Sequence, residues 1–353
     1  MYRKHHKLVP DIWQIAQDVR GADRFPVREA ALNHLALYST VVIVWGSTWL
    51  VINYQLGEVA PEVSVVYRYL IATALLFGWS AIRGLNLKYR LRDHLRFVLL
   101  GVLLFSFNYI ATYSAQLYIS SALNAVAFSA MMWMNVINSR LFLGTRIEPR
   151  LWLGSALGMA GIVVLFWPEI SIVSFSDKVM LGAGLSLGGA LVASLGNIVS
   201  KQAQTSGLPV LQSNAWGMFY GTLITALFAW RQGVPFNFEW SASYITSLLY
   251  LAVFGSVVAF GAYLKLVGQI GPHKAGYAVV MFPVVAVILS YLFEGMELSF
   301  TVFAGMLLVL TGNVLILGIR KKGGELRRWL VRQKHFWFDR KTLAQPCPEQ
   351  RAG

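Results

Sequence analysis

The chain has 353 residues, of which 56% are hydrophobic and 13% are charged, and its formal net charge is +14. Soluble domains carry about 25% charged residues, whereas this chain repeats apolar stretches long enough to cross a hydrocarbon layer of ~30 Å. These properties exclude an ordinary soluble enzyme, a disordered chain and a disulfide-stabilised scaffold, and they predict a helical membrane protein.

The apolar stretches lie in chain order between an amino-terminal tail and a basic carboxyl-terminal tail. Most connections between them are too short to hold a second, soluble domain. Each stretch has the length and composition of one membrane-spanning helix. We predict ten such helices, at about 35–56, 63–82, 97–118, 121–142, 150–168, 180–200, 209–230, 243–266, 274–293 and 300–319.

The positive charge is distributed unevenly between the two sides of this layout. Of the 30 lysines and arginines, 27 fall in the two tails and in alternate connections, two fall on the opposite side, and Arg68 lies within the second stretch. Because lysine and arginine mark the cytoplasmic side of a membrane protein, we predict that both tails are cytoplasmic and that the number of spans is even.

A weak internal repeat relates the two halves of the chain. A shift of about 150 residues places Tyr113 on Tyr263, and it places Gly154 and Gly161 on Gly305 and Gly312. Five spans per half would insert the second half upside down, which is the inverted repeat of many secondary transporters. The alternative is chance similarity between apolar sequences.

Several short motifs carry a family resemblance. They are Trp45–Trp49, Tyr67–Leu70, Tyr113–Ala122, Arg140–Gly144 with Trp152–Gly154, and Pro283. These motifs resemble those of the EamA-type transporters of the drug/metabolite transporter superfamily, and the resemblance covers about residues 36–319.

The resemblance implies an all-α integral membrane fold of ten helices, arranged as two inverted five-helix repeats. These repeats would occupy residues 35–168 and 180–319, between a cytoplasmic tail at 1–34 and a basic cytoplasmic tail at 320–353. The implied activity is export or exchange of small metabolites, often amino acids or their relatives. The usual Gly-Glu after the fourth and ninth spans is Gly144-Thr145 and Gly295-Met296 in this chain.

Ionisable residues are scarce in the predicted spans, and such residues mark functional sites inside membranes. No aspartate or glutamate lies in the middle of a span, and the six histidines lie in the tails or near span ends. The sequence also lacks metal-ligand spacings, nucleotide-binding motifs and nucleophile motifs. We therefore expect no enzyme activity, no cofactor and no metal, and either uniport or exchange rather than carboxylate-based proton coupling.

Two basic residues near span ends have two interpretations each. Arg68, about five residues into the second span, either extends its guanidinium to the lipid headgroups or attracts a substrate anion at the outer mouth. Lys265, near the inner end of the eighth span, has the same alternatives. Pro283 is predicted to be a hinge, because proline frees a backbone carbonyl group within a helix.

Polar and aromatic residues share faces of several spans and form the candidate cavity lining. Buried amides in lipid need partners, so they either bind substrate or join helices by hydrogen bonds. Such a wall suits a zwitterion with an apolar side chain. The candidate lining residues are Trp45, Thr48, Asn108, Tyr109, Tyr113, Gln116, Asn124, Met131, Asn135, Asn197, Trp216, Tyr263 and Met281. Trp49 is expected to be an interfacial anchor instead.

Together these features predict a secondary transporter of small organic metabolites, with amino acids or related compounds as the expected substrates. The alternatives are a nucleotide-sugar or sugar-phosphate exchanger and a membrane-embedded sensor or scaffold. The expected partners are a small-molecule substrate and anionic lipid at the basic tails, without nucleic acid and with a monomer favoured. The expected location is the cytoplasmic membrane, with several passes and both termini inside.

Overall fold

The computed structural model describes residues 25–119, 121–165, 167–171, 176–293 and 299–317, and every regular element in these ranges is helical. The first helices are α1 (Phe25–Asn53), α2 (Pro61–Ile82), α3 (Leu91–Ala115), α4 (Ser121–Phe128), α5 (Met131–Leu143), α6 (Pro149–Leu165) and α7 (Trp167–Ser171). The remaining helices are α8 (Asp177–Thr205), α9 (Val210–Arg231), α10 (Ala242–Ile270), α11 (from Pro272 to Phe293) and α12 (Phe300–Leu317).

Six of the described helices are long and apolar enough to cross a membrane. They are α1, α2, α3, α8, α10 and α11, while α6 and α12 are shorter apolar helices. The prediction of an all-helical, multi-pass membrane protein is therefore confirmed, whereas the count of ten spans stays a prediction. Residues 1–24 and 318–353 lie outside the described residues, and they include the predicted tail at 320–353 and most of the one at 1–34. Residues 25–34 of the predicted amino-terminal tail belong to α1.

Local sequence explains where the helices begin and end. The Ser176 and Ser241 hydroxyls accept hydrogen bonds from backbone amides at the starts of α8 and α10, as serine does at helix N-caps. Pro61 stands at the first position of α2, where a missing amide hydrogen costs nothing. Gly144 ends α5 with a φ of +63°, a left-handed conformation that glycine adopts readily.

The fourth predicted span, 121–142, is interrupted in the structure. Helix α4 ends at Phe128 and α5 begins at Met131. Between them, the Ser129 and Ala130 amides donate to carbonyl groups three residues back, at 3.2 and 3.1 Å. This tighter turn separates the two helices and was not predicted from hydropathy, since the apolar pattern continues across it.

Two long helices contain π-helical segments at corresponding positions. Gly101–Ser106 lies in α3 and Leu251–Val258 lies in α10, and the two segments begin 150 residues apart. This is the shift that aligns Tyr113 with Tyr263. Such wide turns inside α-helices occur frequently at functional sites.

Helix α11 changes its winding before a proline. Its residues Gly276–Met281 form a 3-10 segment, and an α-helical segment begins at Phe282. Pro283 cannot donate a backbone hydrogen bond, and its ring crowds the carbonyl group four residues earlier. The predicted hinge proline therefore follows directly on an irregular stretch, although its role as a hinge stays a prediction.

Glycines allow α6 and α12 to touch through their backbones. A Cβ on Gly154 would lie 2.9 Å from the Gly312 carbonyl oxygen, and one on Gly161 would lie 2.8 Å from the Gly305 carbonyl oxygen. The earlier glycine of one helix meets the later glycine of the other, so the helices run antiparallel. Small residues at four- and seven-residue spacings permit this close approach.

The helices of the two halves interleave rather than forming separate bundles. Helix α2 packs against α9 and α10, and α3 packs against α8 and α9. Helix α1 packs against α10 and α11, and α8 also packs against α5. The buried core therefore lies between the halves and surrounds the centre of the molecule.

The α6–α12 contact predicts unequal effects for two glycine substitutions. Gly161→Ala would place its Cβ 2.6 Å from the Val309 amide nitrogen, so we expect a loss of about 1–3 kcal/mol from overpacking. Gly184→Ala meets nothing within 4 Å and should be neutral or slightly stabilising, because alanine favours helix. Melting midpoints of the purified variants in detergent measure the difference, and equal midpoints would contradict the close contact.

Candidate functional site

A cavity of about 70 Å³ lies within the helical bundle. This volume is below the roughly 300–1,000 Å³ of typical small-molecule sites, so a solute of metabolite size requires the lining to open further. Aromatic and apolar side chains predominate in it. The lining comes from α1, α2, α3, α4, α5, α8, α10 and α11: Trp45, Thr48, Trp49, Ile52, Arg68, Leu104, Asn108, Tyr109, Thr112, Phe128, Met131, Ala193, Asn197, Phe260, Tyr263, Val279 and Phe282.

Arg68 is buried beside this cavity, with only 1% of its surface exposed. Its Nε donates to the Ser256 hydroxyl at 2.8 Å, and its Nη1 donates to the Tyr113 hydroxyl at 3.2 Å. The alternative in which this side chain extends into the lipid headgroups is therefore wrong, whereas its attraction of a substrate anion stays a prediction. The hydroxyl groups of α3 and α10 hold the guanidinium among the helices instead.

The surroundings of the Arg68 guanidinium are aromatic and neutral. Its central carbon lies 4.7 Å from the centre of the Tyr109 ring and 5.5 Å from that of the Tyr69 ring. Cation–π contacts of this kind contribute roughly 0.5–2 kcal/mol. The ion pairs found in the described residues, Arg96–Asp93 and Arg150–Glu148, lie elsewhere, so no carboxylate there neutralises Arg68.

Gly255 makes room for this guanidinium. A Cβ at position 255 would lie 2.9 Å from the Arg68 Nη2. The Gly255 carbonyl oxygen accepts a hydrogen bond of 2.9 Å from the indole nitrogen of Trp45. The π-helical segment of α10 therefore contacts both a predicted lining residue and the buried cation.

Trp45 stands in an aromatic wall of the lining. Its ring centre lies 4.7 Å from that of Phe260, 5.0 Å from Tyr263 and 5.8 Å from Phe282. Edge-to-face pairs at these distances stabilise one another beyond their burial. The wall fixes the shape of an apolar compartment.

An amide cluster forms another part of the lining. The Asn197 Nδ2 donates to the Tyr263 hydroxyl at 2.9 Å and to the Asn135 Oδ1 at 3.2 Å, and it lies 4.0 Å from the Met131 sulfur. Helices α5, α8 and α10 thus meet at one side chain. The structure brings together the amide faces that the sequence predicted separately.

Two amide oxygens in the lining have no hydrogen-bond donor among the described residues. They are the Oδ1 atoms of Asn108 and Asn197, both buried. Because an unpaired buried acceptor costs about 1–3 kcal/mol, such atoms suit a site that a polar ligand completes.

Several predicted residues lie outside the lining. Tyr113 and Asn135 stand directly behind it, bonded to Arg68 and Asn197. The Asn124 Nδ2 donates to the Thr112 carbonyl oxygen at 2.9 Å and joins two helices. Gln116 is half-buried and has no side-chain partner among the described residues. The cavity interpretation of Asn124 and Gln116 is therefore wrong in position.

The remaining predicted residues are more distant or differently placed. Trp216 donates to the Leu87 carbonyl oxygen at 3.2 Å and packs against His94, away from the cavity. Lys265 is exposed and borders none of the cavities described, so its role at an inner mouth stays a prediction. Met281 is half-buried beside the lining and does not reach it.

Other residues of the site were missed from the sequence. Trp49 was expected at the interface but is buried, with its ring centre 5.9 Å from that of Phe128. Phe260 follows Ser256 by four residues and precedes Tyr263 by three. That helical spacing was the available signal, because residues three or four apart share a helix face.

The amide cluster predicts a stability difference between two amide substitutions. Asn197→Ala removes the donor to Tyr263 and Asn135, which should cost about 1–3 kcal/mol because both partners stay buried. Gln269→Ala, on the exposed end of α10, serves as the control. Thermal melting in detergent compares the two variants, and an unchanged midpoint for Asn197→Ala would contradict the cluster.

Known proteins are similar in sequence to this chain over most of its length. A sequence model of the EamA-like transporter family matches residues 34–167 and residues 180–318. The chain is 30% identical over 259 residues to the uncharacterized inner membrane transporter YedA of Escherichia coli strain K12, covering 73% of this chain and 81% of that protein. It is 24% identical over 276 residues to the uncharacterized transporter YoaV of Bacillus subtilis strain 168, covering 77% and 92% respectively.

A solved crystal structure has the same fold. It superposes with a TM-score of 0.67 at 17% sequence identity and covers 80% of this chain and 95% of its own. At that identity the likeness concerns the fold alone. The sequence match, which covers more than half of the chain in two segments, settles the family. The chain belongs to the EamA-like transporter family, in agreement with the resemblance found in its sequence motifs.

Proposed function

We propose that the protein is a secondary transporter that exports or exchanges small organic metabolites, with amino acids or related compounds as the substrate class. The central cavity carries this proposal. Residues from Trp45 to Met131 line it from the first matched segment, and residues from Ala193 to Phe282 line it from the second. A site between two halves is the arrangement that alternating access requires.

The proposed mechanism uses two inverted repeats, at residues 35–168 and 180–319. Three observations support it: the family model matches twice, the π-helical segments begin 150 residues apart, and the α6–α12 glycines pair reciprocally. Gly154 and Gly305 correspond in the two halves, as do Gly161 and Gly312. Gly154 contacts Gly312, the counterpart of Gly161, and Gly161 contacts Gly305, the counterpart of Gly154. A two-fold relation between the halves requires this reciprocal pairing.

The proposed orientation places both termini in the cytoplasm and the protein in the cytoplasmic membrane. The concentration of basic residues on one side supports the orientation, and the printed name of the YedA relative, an inner membrane transporter, supports the location. The basic tail at 320–353 would lie on anionic lipid. A monomer and the absence of a nucleic-acid partner belong to the same proposal.

The lining favours exchange or uniport over carboxylate-based proton coupling. It includes one arginine and no aspartate, glutamate or histidine among the described residues. Proton relays in membranes use such titrating groups. Pro283 and the preceding 3-10 segment of α11 would provide a bending point close to the lining residues Val279 and Phe282.

The cavity chemistry disfavours the alternative of a nucleotide-sugar or sugar-phosphate exchanger. A phosphate-bearing substrate carries two or more negative charges and needs several cations, whereas Arg68 is the one basic residue among the described lining residues. The relatives named as transporters likewise support transport over a sensor or an enzyme.

Filling the cavity should stop transport. Ala193→Phe places a ring in the lining of α8, so solute exchange in proteoliposomes should fall at least tenfold, because the occupied space excludes substrate. Leu187→Phe lies on the same helix with 41% of its surface exposed and should retain transport. The assay loads liposomes with an amino-acid and organic-acid mixture and follows radiolabelled counterflow.

The milder variant Ala193→Val separates blocking from misfolding. It should reduce exchange in proportion to the added volume while keeping the melting midpoint near that of the unmodified protein. Wild-type liposomes that exchange no solute of the mixture, or an Ala193→Phe protein that is folded and fully active, would contradict the proposed transport through this cavity.

A further inference from the structure

We propose that the transported molecule is a small organic acid with one negative charge, and that its carboxylate binds to Arg68. The inference rests on the proposed transport function and specifies the charge of the substrate. It separates monocarboxylate anions from zwitterionic amino acids, which the lining accommodates less well.

The first argument is the charge balance of the cavity. Arg68 is buried, and its hydrogen-bond partners Ser256 and Tyr113 are neutral hydroxyl groups. A buried cation that lacks an anion is unfavourable in a protein interior and more so in a membrane. Because the described lining contains no acidic residue, one bound monoanion would make the site neutral.

The second argument is that one guanidinium nitrogen of Arg68 has no hydrogen-bond acceptor among the described residues. Nε and Nη1 are engaged, but Nη2 donates to no group among the described residues. It lies against Gly255, where a Cβ would come within 2.9 Å of it. A carboxylate here would accept a charge-assisted hydrogen bond from Nη2 and could accept a second from the remaining Nη1 hydrogen.

The third argument concerns what an ammonium group would meet. The unpaired acceptors of the described lining are the Oδ1 atoms of Asn108 and Asn197, which are neutral amide oxygens. A zwitterion would therefore bring a second positive charge into a cavity that already holds Arg68. The same two oxygens can accept instead from a hydroxyl group or a water molecule on an acid.

The aromatic wall determines which kind of group the rest of the substrate, apart from its carboxylate, can carry. Trp45, Phe260 and Phe282 enclose the compartment on one part of the lining, and Trp49 and Phe128 enclose it on another. An acid with an aromatic or branched apolar group would bury that group against these rings. A charged or strongly hydrated body would lose its water shell without replacement.

Charge neutralisation also predicts exchange. The loaded site is neutral, whereas the empty site carries the uncompensated Arg68 charge, so the loaded protein should change conformation more readily. Counterflow should therefore be at least tenfold faster than net efflux from the same liposomes, since a tenfold rate difference needs only a modest barrier difference.

Three probes with the same phenethyl body test the charge rule: 3-phenylpropionate, L-phenylalanine and 2-phenylethylamine. Binding to the purified full-length protein is measured by ligand-induced thermal stabilisation, and transport is measured by counterflow. We expect 3-phenylpropionate to bind at least tenfold more tightly than phenylalanine and the amine not to bind, because only the acid neutralises Arg68. Tighter binding of phenylalanine, or binding of none of the three, would overturn the inference.

Variants locate the binding of the acid. Arg68→Gln should weaken 3-phenylpropionate binding at least tenfold, as expected when a buried hydrogen-bonded charge pair is lost, whereas Arg68→Lys should retain part of it. Arg83→Gln is the control, since that side chain lies on the Trp79 ring at the end of α2. If Arg68→Gln does not fold, Arg68→Lys and the glycine pair below carry the test.

A glycine pair on α10 provides a second, independent test. Gly255→Ala would press its methyl group on the Arg68 Nη2, while Gly261→Ala meets nothing within 4 Å. Acid binding should fall at least fivefold in Gly255→Ala and stay unchanged in Gly261→Ala. Equal affinities would overturn the assignment to Arg68. Wild-type exchange of other solutes without preference for the acid would overturn the charge rule and leave the transport function standing.

Discussion

A single permanent charge sets the main constraint on this fold. Arg68 is buried among helices that cross a membrane, and its hydrogen bonds go to Tyr113 in α3 and Ser256 in α10. A buried charge that loses its partners is strongly destabilising, so these hydroxyl groups must stay within reach of the guanidinium. The packing of α2, α3 and α10 is therefore tied to one side chain, and the cavity forms where these helices meet.

The irregular backbone of α10 meets the requirements of that charge. Its π-helical segment includes Gly255, which leaves space for the guanidinium, and Ser256, whose hydroxyl accepts from Arg68 and donates to the Leu251 carbonyl oxygen at 3.1 Å. The Gly255 carbonyl oxygen in turn accepts from Trp45. A regular α-helix would engage that carbonyl within its own ladder. The wide turn thus links α1, α2 and α10 through neighbouring residues.

Hydropathy was sufficient to predict the helical segments, because each must be apolar over its length to lie in lipid. The same uniformity concealed the break between Phe128 and Met131, where the composition does not change. For the site, the sequence indicated Trp45, Asn197 and Tyr263, since polar and aromatic residues at helical spacing define a face. It could not place Arg68 or Trp49, because nearness to a span end was read as nearness to water, and the partners of Arg68 lie 45 and 188 residues away along the chain.

The two π-helical segments occupy equivalent places in the halves, but they have different partners. Ser256 holds the arginine, whereas Ser106 accepts a hydrogen bond of 2.8 Å from the Thr225 hydroxyl. A duplicated framework therefore contains one charged contact and one neutral contact at corresponding points. If the halves exchange roles as proposed above, the inward-open and outward-open forms would differ in energy because only one of these contacts is charged. Under the proposed mechanism, the unmatched arginine would therefore give the transport cycle a preferred resting side.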